Sequence, residues 1–158
     1  MPPTDIHPTL HVVLVAPEIP PNTGSIARLC AATATRLHLI RPLGFSLDDR
    51  YLKRAGLDYW PYVDVHVYDD WPQFRRQHSD THLHFFSARA ARSYLSVCYG
   101  RGDALVFGSE TKGLPATLLA AHADNAYAIP IANPHVRSLN LSNAVSIVVY
   151  EALRQLAD

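Results

Sequence analysis

The sequence predicts a single α/β domain whose mostly parallel sheet is flanked by helices. Short apolar runs alternate with helical segments along the whole chain, the pattern of strand–helix–strand units. The first run, residues 10–16 (LHVVLVA), is apolar almost throughout, as in a strand buried on both faces. Size and composition agree. A chain of 158 residues, 48% hydrophobic and 18% charged, suffices for one domain with one core and is too apolar for dominant disorder. The domain is expected to take up residues 1–158, with 1–9 as a short polar tail.

The elements follow in order. Pro17, Pro20 and Pro21 end the first strand in a stiff loop. Asn22 or Thr23 can cap a helix over 25–34. A second strand spans 37–40 and is closed by Pro42 and Gly44. Residues 47–55 read as a short helix, with Asp48 and Asp49 in its first turn, Lys53 and Arg54 in its last, and Gly56 as its stop. Alternation over 62–68 gives a third strand. Asp70 caps the next helix, with Pro72 tolerated in its first turn. Strands at 82–87 and 104–108, a Pro-started helix over 115–121 and a strand at 127–131 come next. The last element is an amphipathic helix over 138–156, with Leu141, Ala144, Val145, Val148 and Val149 near one face.

Composition narrows the function. Fourteen basic residues balance fourteen acidic ones, so the net charge gives no general pull toward nucleic acid. Twelve of the fourteen are arginine, the residue suited to bidentate contact with phosphate or carboxylate. No apolar stretch is long enough to span a bilayer and no N-terminal signal pattern is read, so no membrane partner is expected. Cys30 and Cys98 are too few for a disulfide scaffold or a four-cysteine zinc site. Both read as packing residues, and a cytoplasmic location is expected. His82 and His84 share one face of a strand, but no third ligand stands at metal-site spacing, so no metal is expected.

Three loops at strand ends carry the candidate chemistry. Residues 16–30 (APEIPPNTGSIARLC) place Asn22 near a helix start and Arg28 inside that helix. Residues 105–115 (LVFGSETKGLP) have the glycine spacing of a phosphate loop, Gly108 to Gly113, but Leu114-Pro115 stand where Lys-Ser/Thr would follow. No G-x-G-x-x-G fingerprint occurs either. What remains is a strand ending at a glycine that lets a ligand approach the backbone, with Glu110 just beyond. Residues 129–156 hold Asn133, Pro134 and Arg137, then Ser138, Asn140, Ser142 and Asn143 at a helix start, more polar side chains than one cap requires. Taken singly, the first two loops fit a capped helix or a plain turn as well as a site.

Taken together and in this order, the three segments resemble motifs 1, 2 and 3 of the SPOUT methyltransferases. Residues 42–60 (PLGFSLDDRYLKRAGLDYW) extend the likeness to the subfamily that methylates the ribose at tRNA nucleotide 34. The resemblance runs from about residue 10 to 156. It implies a sheet whose C-terminal segment forms a deep trefoil knot, a homodimer with sites at the interface, and S-adenosylmethionine as cofactor. The cofactor pocket it implies uses Phe86, Gly108, Ile129, Ser138, Leu139 and Asn143.

The implied reaction is transfer of a methyl group to the 2′-hydroxyl of the wobble nucleotide, C or a modified U, in leucine tRNAs. Arg28 matches the catalytic arginine, with Asn22, Glu110 and Asn140 as further catalytic positions. A guanidinium is a poor base, so the expected role of Arg28 is to orient the hydroxyl and stabilise negative charge developing on it. Contacts to the anticodon loop are expected from Arg50, Lys53, Arg54, Lys112, His135 and Arg137, with Tyr59 and Trp60 nearby. The alternatives are a SPOUT enzyme acting elsewhere on tRNA or on rRNA, and a non-catalytic RNA-binding protein on the same fold.

Overall fold

A computed structural model describes residues 7–55 and 59–157, the side chains of Lys53 and Ala55 excepted. Seven strands form one sheet: β1 (His11–Val15), β2 (Arg36–Ile40), β3 (Val65–Tyr68), β4 (Leu83–Phe86), β5 (Arg92–Ser93), β6 (Ala104–Phe107) and β7 (Ala126–Ala128). Their order is β3-β2-β1-β6-β4-β7-β5, and every strand pairing is parallel. The helices are α1 (Pro20–Ala32), α2 (Arg50–Ala55), α3 (Trp71–Gln77), α4 (Ala116–Ala121) and α5 (Leu141–Leu156). The expected α/β class, parallel sheet and flanking helices are all present.

Each face of the sheet has its own core. Val12 and Leu14 of β1 and Leu37 and Leu39 of β2 point to one side, where Ile26 and Cys30 of α1 and Val145, Val148 and Val149 of α5 cover them. Val13, Ile40, Phe85 and Val106 point to the other, against Phe74 of α3 and Leu118 and Leu119 of α4. This two-sided burial is why β1 reads as a continuous apolar run. Full burial of such side chains stabilises by about 1.5–3 kcal/mol each. The second face also carries polar groups. His11 Nδ1 lies 2.8 Å from His38 Nε2, His38 Nδ1 lies 2.8 Å from Tyr68 Oη, and Tyr68 Oη lies 3.1 Å from His78 Nε2.

Several boundaries differ from expectation, each for a local reason. α1 starts at Pro20, five residues early, and neither Asn22 nor Thr23 caps it; Ile19 is the N-cap and makes no side-chain cap bond. With proline at its first two positions the helix lacks two of the N–H groups a cap would satisfy. α2 starts later than expected, so Asp48 and Asp49 precede it, and Asp49 Oδ1 accepts from the N–H groups of Tyr51 and Leu52. Gly56 lies outside the described residues. β3 is preceded by a 3-10 turn over Trp60–Tyr62, where Pro61 has no N–H to give a sheet. β5 was not expected, because two residues carry no periodicity. α5 starts at Leu141 because Asn140 caps it, accepting from Ser142 N at 3.0 Å and Asn143 N at 3.3 Å. Asp70 caps α3 as expected, accepting from Gln73 N at 2.8 Å.

Candidate active site

The loops leaving β1, β4, β6 and β7 gather at the carboxyl edge of the sheet, where open α/β folds bind ligands. They enclose a cavity of about 1130 Å³. Phe86, Gly108, Ile129, Ser138 and Leu139 all line it. Leu114, Leu119 and Ala144 add apolar wall, while Lys112 and Arg137 stand at its margin as exposed cations. Phe86 ends β4 and stacks on Phe107, ring centroids 5.0 Å apart. Asn143, the remaining cofactor position, is exposed on α5 and lies off the cavity wall.

Gly108 has a reason in addition to the one expected. A Cβ there would fall 2.0 Å from the carbonyl carbon of Gly113 and 2.1 Å from Leu114 N. The loop folds back on itself, with Gly113 N donating to Ser109 O at 2.9 Å, and Gly113 takes φ +68°. The glycine is required by the loop's own backbone as well as leaving room beside the cavity.

Three of the four proposed catalytic positions come together. Glu110 accepts from Glu18 N at 2.9 Å, from Ile19 N at 2.6 Å and from Asn22 Nδ2 at 3.3 Å. Asn140 Nδ2 donates to Asn22 Oδ1 at 3.1 Å. A polar chain Glu110–Asn22–Asn140 thus ties the β6 loop to the starts of α1 and α5. Sequence reasoning missed its companion: Thr111 Oγ1 donates to the Glu18 carboxylate at 2.7 and 2.9 Å. That hydroxyl, then Ser109, holds the Glu18 carboxyl below its usual range.

Arg28 is not part of this group. Six residues beyond Asn22 is about 240° further round the helix, and Arg28 is exposed, off the cavity wall. Its guanidinium carbon sits 4.6 Å from the Tyr59 ring centroid, and Nη2 donates to Tyr59 Oη at 3.4 Å. α2 packs along α1 and carries exposed Arg50 and Arg54. Arg50 lies over the Tyr51 ring at 4.9 Å. Lys53 belongs to the same helix, but its side chain lies outside the described residues. Trp60 packs against the core, so it fills an interior role. His135 is exposed beside the cavity, its N–H bonded to Asn133 Oδ1 at 2.9 Å.

The other candidates have local partners. His82 and His84 stack at 4.9 Å, and His84 Nε2 lies 2.8 Å from Asp103 Oδ2. Among the described residues no group of three or more His, Cys, Asp or Glu is placed to hold a metal ion. Cys30 is buried, which pushes its thiol pKa up; Cys98 is exposed, and neither is bonded to another cysteine. Among the described residues no helix is long and apolar enough to cross a membrane.

A parallel sheet with a cavity at its carboxyl edge is the arrangement in which open α/β folds bind a ligand. Residues 9–150 match the SpoU rRNA methylase family, and the chain belongs to that family. It is 49% identical over 148 residues to the tRNA (cytidine(34)-2'-O)-methyltransferase of Escherichia coli strain K12, covering 93% of this chain and 94% of that one. The enzyme of the same name from Saccharophagus degradans is 50% identical over 147 residues, covering 92% and 95%. A solved structure described as giving insights into the 2-OH methylation of C/U34 on tRNA superposes with a TM-score of 0.89 at 48% identity, covering 93% of this chain and 95% of that one. An AdoMet-bound rRNA methyltransferase from Sinorhizobium meliloti superposes with a TM-score of 0.85 at 26% identity, covering 98% of this chain and 60% of that one.

Proposed function

We propose that the protein transfers a methyl group from S-adenosylmethionine to the ribose 2′-hydroxyl of the wobble nucleotide 34, C or a modified U, in leucine tRNAs. The observation that carries this reading is the cavity. It brings Phe86, Gly108, Ile129, Ser138 and Leu139 together beside the Glu110–Asn22–Asn140 chain. Its apolar wall and polar margin fit a cofactor that combines a neutral adenine, a sulfonium cation and one zwitterionic amino-acid end. Ile129, Leu139 and Leu114 would hold the flat and apolar parts; Ser138 and the backbone of the 108 and 129 loops would hold the polar edges. When bound, the cofactor supplies a methyl group on a positively charged sulfur.

The chain's own residues then orient the nucleophile. Arg28 donates hydrogen bonds to the 2′-oxygen and offsets the negative charge that grows on it as its proton passes to solvent water. Glu110, Asn22 and Asn140 position the loops, since their polar atoms are engaged with one another and with backbone. Because Arg28 is off its own cavity wall, we place it at the cavity of a second copy in a homodimer. Exposed Ile147 and Tyr150 on α5 offer apolar surface for that association. Arg50, Lys53, Arg54, Lys112, His135 and Arg137 contact the anticodon loop. The trefoil knot and a cytoplasmic location belong to the same reading.

The test is labelled methyl transfer from S-adenosylmethionine to bulk tRNA lacking this modification, followed by nucleotide mapping. A 2′-O-methyl group at nucleotide 34 of leucine tRNA is expected. Label elsewhere would keep the chemistry and overturn the substrate. Arg28→Ala is expected to lower transfer at least ~100-fold, on the scale of a lost charge-stabilising donor, with cofactor binding by calorimetry unchanged. Retained turnover in that variant would remove Arg28 from the mechanism.

A further inference from the structure

Among the described residues, the polar and ring contacts of the Arg28 side chain are all with Tyr59. The guanidinium lies over the ring at 4.6 Å and gives one hydrogen bond, from Nη2 to Oη. Nε and Nη1 have no hydrogen-bond partner among the described residues. The ring is itself on fixed backbone. Tyr59 caps the 3-10 turn Trp60–Tyr62, its carbonyl accepting from Tyr62 N at 2.8 Å, and Trp60 of that turn is packed against the core. A long cationic side chain on an exposed helix face ordinarily samples many rotamers. Here a π-face attracts the cation and a hydroxyl takes one terminal nitrogen, leaving the opposite edge of the fork open.

We infer that Tyr59 is a positioning residue for methyl transfer: it holds Arg28 by its ring and hydroxyl so that the Nε–Nη1 edge is presented to the substrate's 2′-oxygen and adjoining phosphate. The inference rests on the role proposed above for Arg28. A base-stacking platform for RNA is the other use of an exposed tyrosine, but one face of this ring is already covered by the guanidinium.

The experiment measures steady-state methylation of bulk tRNA lacking the modification by full-length wild type, Tyr59→Phe, Tyr59→Leu, Arg28→Ala and the Arg28→Ala/Tyr59→Leu double variant. Tyr59→Leu is expected to lower kcat about tenfold, the scale of a cation–π contact, with KM for tRNA and for the cofactor within about twofold. Tyr59→Phe keeps the ring and is expected to restore most of kcat. In the Arg28→Ala background, Tyr59→Leu is expected to have no further effect, because the two residues act as one unit. A raised KM for tRNA with kcat unchanged, or additive losses in the double variant, would overturn the inference. NMR gives a readout independent of turnover: the Arg28 side-chain protons are expected to show an upfield ring-current shift that Tyr59→Leu abolishes. A wild type that transfers methyl but lacks that shift overturns this inference alone. A wild type that keeps the shift but transfers no methyl group overturns the functional reading and this inference with it.

Discussion

Glu110 illustrates how one side chain can tie several loops together at a site. Its two oxygens accept from Glu18 N, Ile19 N and Asn22 Nδ2. The segment entering α1 has no helical partner for the first two of these groups, and the prolines that follow cannot supply a turn through their own N–H groups. Replacing Glu110 by alanine takes the acceptor from the part-buried Glu18 N–H and leaves the exposed Ile19 N–H to water. Urea unfolding is expected to register a loss of about 1–3 kcal/mol for Glu110→Ala, and roughly half that for Glu110→Gln, which keeps one acceptor. A Glu110→Ala protein as stable as wild type but unable to methylate would return this carboxylate to the chemistry. Nothing local in the sequence signals the contact, since Glu110 and Asn22 are 88 residues apart and Asn140 is 118 residues from Asn22. The motifs marked each residue separately; only the fold shows that the three touch and that Arg28 stands apart from them.

At the scale of elements, buried strands were legible because burial on both faces leaves a run of apolar letters, as in β1 and β6. Starts of helices were less so. Proline fixed α1 earlier than its polar residues suggested, and Asn140 capped α5 where four polar residues competed for the role. The histidines of the second sheet face were the least legible, because a buried imidazole looks in sequence like any surface histidine. There His11, His38, Tyr68 and His78 bridge β1, β2, β3 and α3, with Arg36, Asp64 and His66 alongside. Burial, reinforced by neighbouring positive groups, lowers the His11 pKa to about 4 and that of His38 to about 2, from an ordinary value of 6.5. In the unfolded chain these imidazoles take up protons below about pH 6.5, while in the folded one they stay neutral. The unfolded state therefore binds more protons below that pH, and stability is full above it and falls as pH drops toward the folded values. Urea unfolding at pH 5.5 is expected to give a free energy about 2–3 kcal/mol lower than at pH 7.5, from these two groups alone. His38→Gln is expected to flatten the dependence by about one proton. Equal stability of the wild type at the two pH values would mean that the imidazoles protonate without opening this face.

At the scale of the whole molecule, the neutral net charge and the outward-facing Arg28 pose one problem with one solution. Within a single chain, Arg28 is exposed and lies off the wall of the cavity that the proposed function has it serve. The proposed homodimer would answer this for both copies at once, because a symmetric interface that brought Arg28 of one protomer to its partner's cavity would also do the reverse. This arrangement makes a prediction that no monomeric site can satisfy. Arg28→Ala spoils the arginine and leaves the cavity intact; Ser138→Trp fills the cavity and leaves the arginine intact. Each variant alone is expected to be inactive. Mixed in equal amounts and allowed to exchange subunits, half of the dimers combine the two lesions. In each such dimer one site pairs a sound cavity with a sound arginine and the other is doubly damaged. Recovery of about a quarter of the wild-type activity per chain is expected, measured as labelled methyl transfer to tRNA. If Arg28 instead served the cavity of its own chain, every site in the mixture would carry at least one lesion, and no mixing ratio would restore activity.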